Sequence, residues 1–490
     1  MKRFFEILPG GLAWLTLLLL FFFSWQAPFG VVIFVILFDL YWLLKIFYLF
    51  LHLRHSFVGL TSNLRIDWQS KLEKEFPEQW PALRHLVIMP MYREPYSVIQ
   101  SSLGSLLAAN YPKEKMMIVL ATEARGGAED QMVAASAVED FGSHFGSFSI
   151  TVHPTNLPGE IPGKGSNETW AIKKVKEDII DKLGFDYDNI LVSVFDADSR
   201  PGSQYFNVLS CKFLSAPNRQ HASYQPIPVF TNNFREVSPF ARIVAFSSTF
   251  WQLMQQARPK RLVSFSSHSL PFRALVEGGF WPIDIVSEDS QVFYRLMNHY
   301  GGDWRAVPLL YPVYMDAVSG RNLWEALKNI YKQQRRWAWG VENSVYVLSH
   351  FWQNTKFKFH QKLFWSFVTL EGSYSWATGS LTIFLFSWVP NVIGGEVFRE
   401  TLASYNLSDI TSFLMNFSML GVVTSAFLSL NMILRQAEWV KRKHYPLLVL
   451  QWFLLPVTFI FLSSLPALEA QTRMMLGGKM RLGFWRTPKS

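Results

Sequence analysis

The chain has 490 residues; half are hydrophobic, 16% aromatic and 17% charged, and the formal net charge is +9. The charged share falls well below the roughly 25% of a soluble domain, and the deficit gathers towards both ends, which excludes a wholly soluble globule and predicts membrane segments around a polar unit. A basic surplus beside apolar runs, without an aromatic-rich RNA-binding signature, excludes nucleic acid as a partner, and the single Cys211 excludes a disulfide framework or a thiolate metal site.

Residues 11–25 and 31–53 are apolar runs separated by Gln26-Ala27-Pro28-Phe29-Gly30. Each approaches the ~20 residues needed to cross ~30 Å of hydrocarbon, so they read as a helical hairpin. Lys2 and Arg3 precede it and Arg54 and His55 follow, which places both ends in the cytoplasm. No small-residue cleavage site separates the runs, so a cleavable signal is not expected.

From about residue 85 to 340 short β-rich runs alternate with helical patterns. Strands are predicted over 85–91, 116–122, 148–153 and 189–195, and helices over 96–110, 128–141 and 167–183. This alternation predicts parallel βαβ units with ligands at the strand C-termini. Glu94, Glu123, Asp196 and Asp198 all fall just after strands.

Beyond that region, 364–388 and 411–434 are spanning candidates. The loop between them carries Glu396, Arg399, Glu400 and Asp409, which suits the outer face; the next carries Arg435, Lys441, Arg442 and Lys443, which suits the cytoplasm. Residues 447–467 are interrupted by Pro456 and Pro466 and followed by a basic tail (Arg473, Lys479, Arg481, Arg486, Lys489). A full crossing would put that tail outside, so a bent or re-entrant segment packed on other helices is expected.

Four motifs carry chemistry. Asp196-Ala197-Asp198 ends an apolar strand, where two carboxylates can share Mg²⁺ or Mn²⁺ with substrate phosphates; alone, the pattern also suits a solvated turn. Glu288-Asp289 offers a carboxylate to take a proton from an acceptor hydroxyl, or simply acids at a helix N-terminus capped by Ser287. Gln333-Gln334-Arg335-Arg336-Trp337 lies in a predicted helix over 323–340, where Gln333 and Arg336 share a face. Its arginine suits diphosphate oxygens and its tryptophan a sugar ring, although an interfacial helix with a snorkelling arginine has the same composition. Gly163-Lys164-Gly165-Ser166-Asn167 fails the phosphate-loop spacing, which leaves Lys164 on a loop beside a nucleotide or on an ordinary helix entry. His268 has no partner at zinc-ligand spacing, and no serine sits in a G-x-S-x-G elbow. Glycoside hydrolysis would use two carboxylates but needs neither a metal-type D-x-D nor a membrane platform.

In this order, Pro90-Met91-Tyr92-Arg93-Glu94, Thr122-Glu123, Lys164 to Asn167, Asp196-Ala197-Asp198, Ser287-Glu288-Asp289 and Gln333 to Trp337 resemble membrane-integrated family 2 glycosyltransferases, the group of cellulose, hyaluronan and chitin synthases. The resemblance implies an α/β GT-A (Rossmann-like) cytosolic domain inserted between transmembrane α-helices. It implies Asp289 as general base beside Glu288, and Asp198 with Asp196 as ligands of Mg²⁺ or Mn²⁺. Pro90, Tyr92, Glu94, Glu123, Lys164, Asp196, Gln333 and Arg336 would bind the nucleotide sugar, with Trp337 and His268 on the acceptor side. Phe484-Trp485-Arg486-Thr487-Pro488-Lys489 is similar to the synthases' gating loop, with Arg486 in place of valine, which gives Trp485, Thr487 and Lys489 a gating role. Glu123 departs from the aspartate of many relatives, and no regulatory domain is expected after the gating match.

The expected domains are a transmembrane hairpin (1–55), a cytosolic GT-A unit (56–345), an interfacial helix (346–362), a C-terminal transmembrane region (363–470) and a cytosolic tail (471–490). The expected function is inverting, metal-dependent transfer from a nucleoside diphosphate sugar, by default a UDP-sugar, to a growing glycan at the bacterial inner membrane. Chain extension with secretion is expected, with single-sugar transfer to a lipid as the alternative. A non-catalytic transporter or scaffold is the reading from another class.

Overall fold

The computed structural model describes residues 2–434, 445–483 and 485. The basic residues Arg435 and Lys441 to Lys443, and the gating candidates Thr487 and Lys489, lie outside the described residues.

Among the described residues, eight strands form one sheet: β1 (Arg84–Pro90), β2 (Met116–Glu123), β3 (Ser147–His153), β4 (Ile190–Val194), β5 (Arg200–Pro201), β6 (Ala222–Phe230), β7 (His268–Pro271) and β8 (Arg305–Met315). Their order is β3-β2-β1-β4-β7-β6-β8-β5. The pairs β3/β2, β2/β1 and β1/β4 are parallel, as predicted. Beyond β4, where no strand was predicted, β7 runs antiparallel to both β4 and β6.

Strand β1 is buried on both faces, which its unbroken apolar run requires. Val87 and Met89 join one core layer, and Leu86 and Ile88 the other. The first layer is closed by the helices Tyr96–Leu107 and Tyr205–Ser215, the second by Lys164–Val175 and Glu288–His299. This two-layered mixed sheet is the α/β GT-A architecture, and it sends the C-terminal ends of β1, β2 and β4 to one side.

Among the described residues, three helical runs are long and apolar enough to cross a membrane: Lys2–Gln26, Pro28–Asn63 and Tyr445–Leu476. Leu18, Phe21, Leu37, Leu44 and Phe47 are exposed along the first two, as lipid-facing residues would be. The helix Phe359–Phe386 covers a predicted span but is not among the three, because Glu371-Gly372-Ser373-Tyr374-Ser375 dilutes its apolar character.

The run Tyr445–Leu476 is long enough to cross, yet it is irregular around its prolines and packs on the sheet domain at both ends. A 3₁₀ turn at Gln451–Leu454 and a π turn at Ile460–Ser464 interrupt it. Near its start, the Trp452 ring stacks on Phe250 at 5.9 Å. Near its end, Glu469 accepts from Tyr331 Oη at 2.8 Å and from Arg335 Nη1 at 2.6 Å.

Candidate active site

The segments after β1, β2 and β4 converge with three helices on one open cavity of about 170 Å³. Pro90, Tyr92 and Glu94 come from the β1 exit, Glu123 from the end of β2, and Asp196 from the β4 exit. The helix Lys164–Val175 contributes Lys164, the helix Glu288–His299 contributes Glu288 and Asp289, and the helix Leu323–Ala338 contributes Gln333, Arg336 and Trp337. Residues separated by some 250 positions in the chain therefore share one wall, the placement expected at the carboxyl ends of strands in an α/β sheet.

Charge organises the cavity. Lys164 Nζ lies 2.8 Å from Asp196 Oδ1 and 3.6 Å from Glu168 Oε1, one helical turn further on. Burial opposes the ammonium charge, but Asp196, Glu168, Glu288 and Asp289 outweigh it and hold the Lys164 pKa above its ordinary value. Glu168 is buried, and desolvation keeps its pKa well above the carboxylate range despite Lys164. Burial, then the neighbouring Asp289, pushes Glu288 up to about 8. Lys164 and Arg336 are the cations lining the cavity, beside the acids Asp196, Glu288 and Asp289.

Ser266 ties two of these acids together. Its backbone N–H donates to Asp289 Oδ2 at 2.7 Å, and its hydroxyl donates to Asp196 Oδ2 at 2.8 Å. The residue adopts φ +46°, a left-handed backbone that costs a non-glycine residue on the order of 1 kcal/mol or more. His268 supports that turn from beneath: Trp281 Nε1 donates to His268 Nε2 at 3.2 Å, so Nδ1 carries the proton and faces Ser266 O at 2.8 Å. Burial, then Lys164, pushes the imidazole down to about 4, so it stays neutral. His268, expected on the acceptor side, is not among the residues that line the cavity. The ring is buried under the cavity with both nitrogens engaged.

Asp198 is also buried, and its Oδ2 accepts from the Asp316 backbone N–H at 2.9 Å. Among the described residues no three His, Cys, Asp or Glu side chains converge as a ready-made metal cage. Asp196 lines the cavity whereas Asp198 is not part of its lining; carboxylates at a strand end are the donors that share Mg²⁺ or Mn²⁺ with substrate phosphates.

Other features had no signal in the sequence. Arg125 Nη2 donates to Glu123 Oε1 at 2.9 Å, and its guanidinium lies 4.1 Å from the Tyr92 ring centroid, so a cation–aromatic pair borders the Glu123 side of the cavity. The Arg93 N–H donates to both oxygens of buried Asp130, at 2.9 and 3.0 Å, holding the turn after β1 at φ +57°. Trp337 sits 5.8 Å from the Phe265 ring and 6.2 Å from Phe230, an aromatic shelf at the cavity edge. Trp485, a gating candidate, lies under Lys332 Nζ at 5.3 Å, on the Leu323–Ala338 helix and outside the cavity lining.

The profile of the family described as Glycosyl transferase family group 2 matches residues 191–465, and the chain belongs to that family. Among solved structures, the mannosyltransferase PcManGT from Pyrobaculum calidifontis, in complex with GDP-Man and Mn²⁺, is similar with 14% identity and a TM-score of 0.44, over 76% of this chain and 99% of that one. S. aureus TarS 1–349 in complex with UDP-GlcNAc is similar with 14% identity and a TM-score of 0.38, over 77% and 92% of the two chains. No curated protein sequence matches the chain.

Proposed function

We propose that this glycosyltransferase is a membrane-integrated, inverting polysaccharide synthase that adds sugars from a nucleoside diphosphate donor, a UDP-sugar by default, to a growing glycan. One observation carries the reading: Lys164, Asp196, Glu288, Asp289, Gln333, Arg336 and Trp337 line a single cavity.

In the reaction, an acceptor hydroxyl oxygen attacks the anomeric carbon as the bond from that carbon to the diphosphate oxygen breaks. Asp289 takes the hydroxyl proton, and the nucleoside diphosphate leaves with the bonding pair. Asp289 suits the task because Ser266 N–H and Ser290 N–H, each at 2.7 Å, fix its two oxygens. Lys164 and Arg336 face the charge that develops on the leaving diphosphate, where donors fixed in advance act most strongly. Asp196 and Asp198 would hold Mg²⁺ or Mn²⁺, which when bound neutralises diphosphate charge. Glu288, neutral near pH 7, is available as a donor rather than as a second base. Trp337, with Phe265 and Phe230, presents the apolar planes on which an acceptor sugar stacks.

The catalytic unit is assigned to the cytosolic side of a bacterial inner membrane, after the hairpin whose flanks are basic. Packing of Trp452 and Glu469 against the sheet domain supports a run Tyr445–Leu476 that lies along the catalytic unit, which keeps the tail cytosolic. The test is product size: purified protein with labelled nucleotide sugars and Mg²⁺ or Mn²⁺ should yield long glycan. Only one-sugar lipid products would replace extension by single transfer, and absence of transfer from every donor would sink the enzyme reading.

A further inference from the structure

The helix Leu323–Ala338 does not end at the cavity. It runs on through a 3₁₀ turn, Trp339–Val341, into the short helix Glu342–Tyr346. The first residue of that extension, Glu342, reaches back to the loop that carries Asp289. Its Oε1 accepts from Ser287 N–H at 3.1 Å, from Ser287 Oγ at 2.5 Å and from Val286 N–H at 3.3 Å. Its Oε2 accepts from Trp339 Nε1 at 3.2 Å. The next residue repeats the contact one step along, Asn343 Nδ2 donating to Ser290 Oγ at 2.9 Å.

This arrangement replaces an ordinary helix cap. Ser287 occupies the N-cap position of the helix Glu288–His299, yet its side chain makes no capping bond. Its hydroxyl and its N–H both point at Glu342 instead. A serine at an N-cap normally satisfies the helix's own N–H groups. Here that local role gives way to a long-range one, so the position of Glu288 and Asp289 is set from the helix that carries Gln333, Arg336 and Trp337.

We infer that Glu342 is a positioning residue that clamps the Ser287-Glu288-Asp289 loop to the arginine–tryptophan helix, fixing the distance between proton acceptor and acceptor platform. The inference rests on Asp289 as the base. Four donors on one carboxylate define both its oxygens, so the loop cannot slide along the helix without breaking several bonds at once. A misplacement of about 1 Å in such a constellation can cost about 100-fold in rate. The residues proposed to hold the donor are Lys164, Asp196 and Arg336, whereas Glu342 bonds Val286, Ser287 and Trp339, so the effect belongs in turnover and not in donor affinity.

The experiment uses full-length protein in detergent or nanodiscs, with kcat, donor KM and thermal stability measured for Glu342→Ala, Glu342→Gln and Ser287→Ala. Glu342→Ala should lower kcat about 100-fold with donor KM within about twofold of wild type. Glu342→Gln keeps one acceptor oxygen for Ser287 but turns an amide N–H₂ towards another donor, and should fall in between. Ser287→Ala retains both backbone donors and should lose least. If Glu342→Ala does not fold, Glu342→Gln and Ser287→Ala decide: kcat unchanged in both, or a parallel loss of donor affinity, overturns the clamp. Asp289→Asn run alongside separates the two claims. Transfer retained there removes the base assignment, whereas a dead Asp289→Asn with normal Glu342 variants removes only the clamp.

Discussion

Replacing Gly165 by alanine probes how closely the lysine helix and the acid loop must approach. A Cβ at this position would stand 2.5 Å from the Pro282 carbonyl oxygen and 2.8 Å from Glu288 Cβ. Ordinary contact begins at 3.4 Å, so the shortfalls are 3.4 − 2.5 = 0.9 Å and 3.4 − 2.8 = 0.6 Å. Neither obstacle is the end of a flexible chain; one is backbone and the other is bonded to the backbone beside Asp289. The start of the helix Lys164–Val175 must therefore back away by about 0.9 Å, taking Lys164 with it. Overpacking of this kind costs about 1–3 kcal/mol, and alanine returns up to ~1 kcal/mol of helix propensity. The net stability loss is then ~0–3 kcal/mol, a fall of a few degrees in Tm. The rate should suffer more, because Lys164 leaves the place proposed for it beside the diphosphate: kcat/KM should drop about 10- to 100-fold. Nucleotide release and a thermal melt on the same preparation check both numbers. Wild-type kcat/KM in a folded Gly165→Ala protein would refute the claim that this approach sets the site.

Further outcomes follow from the same geometry. Glu288 holds its proton up to about 8 in the folded protein against an ordinary 4.5, so the folded state binds a proton that the unfolded chain has released. Its contribution to stability is unaffected below about 4.5 and is lost as pH rises from there to about 8. The Tm of Glu288→Gln minus that of wild type should therefore climb across this window, and a flat difference would show that Glu288 ionises normally. Glu469→Ala breaks the link from Tyr331 and Arg335 to the run Tyr445–Leu476, at a cost of roughly 1–2 kcal/mol given the partial exposure of the pair. A double-mutant cycle with Arg335→Ala should give a coupling of at least about 0.5 kcal/mol, and strict additivity would show that the contact does not fasten the catalytic helix.

What was legible in the sequence follows from local physics. Strands β1 to β3 lie within a residue or so of prediction because their apolar runs end in acids and turns. Asp196, Glu288 and the Gln333-to-Trp337 motif fall on the cavity wall because strand ends and helix faces place residues predictably. Strands β6 and β8 were not legible: Pro226 and Pro228 in one, and Pro308 and Pro312 in the other, argue against sheet, yet the pair tolerates them around a register shift between Gln225 and Ile227. Ser266, with no glycine to announce its left-handed turn, and Glu342, 55 residues from Ser287, act through contacts that no local pattern encodes. His268 pairs with Trp281 across two elements, a contact that no local pattern around Ser266-Ser267-His268 encodes.

The most direct test of the central claim is Asp289→Asn, assayed for sugar transfer and, separately, for donor binding. A carboxylate that takes the acceptor proton predicts transfer reduced by orders of magnitude while nucleotide sugar still binds with nearly wild-type affinity. Transfer that survives the substitution at a comparable rate would contradict the account.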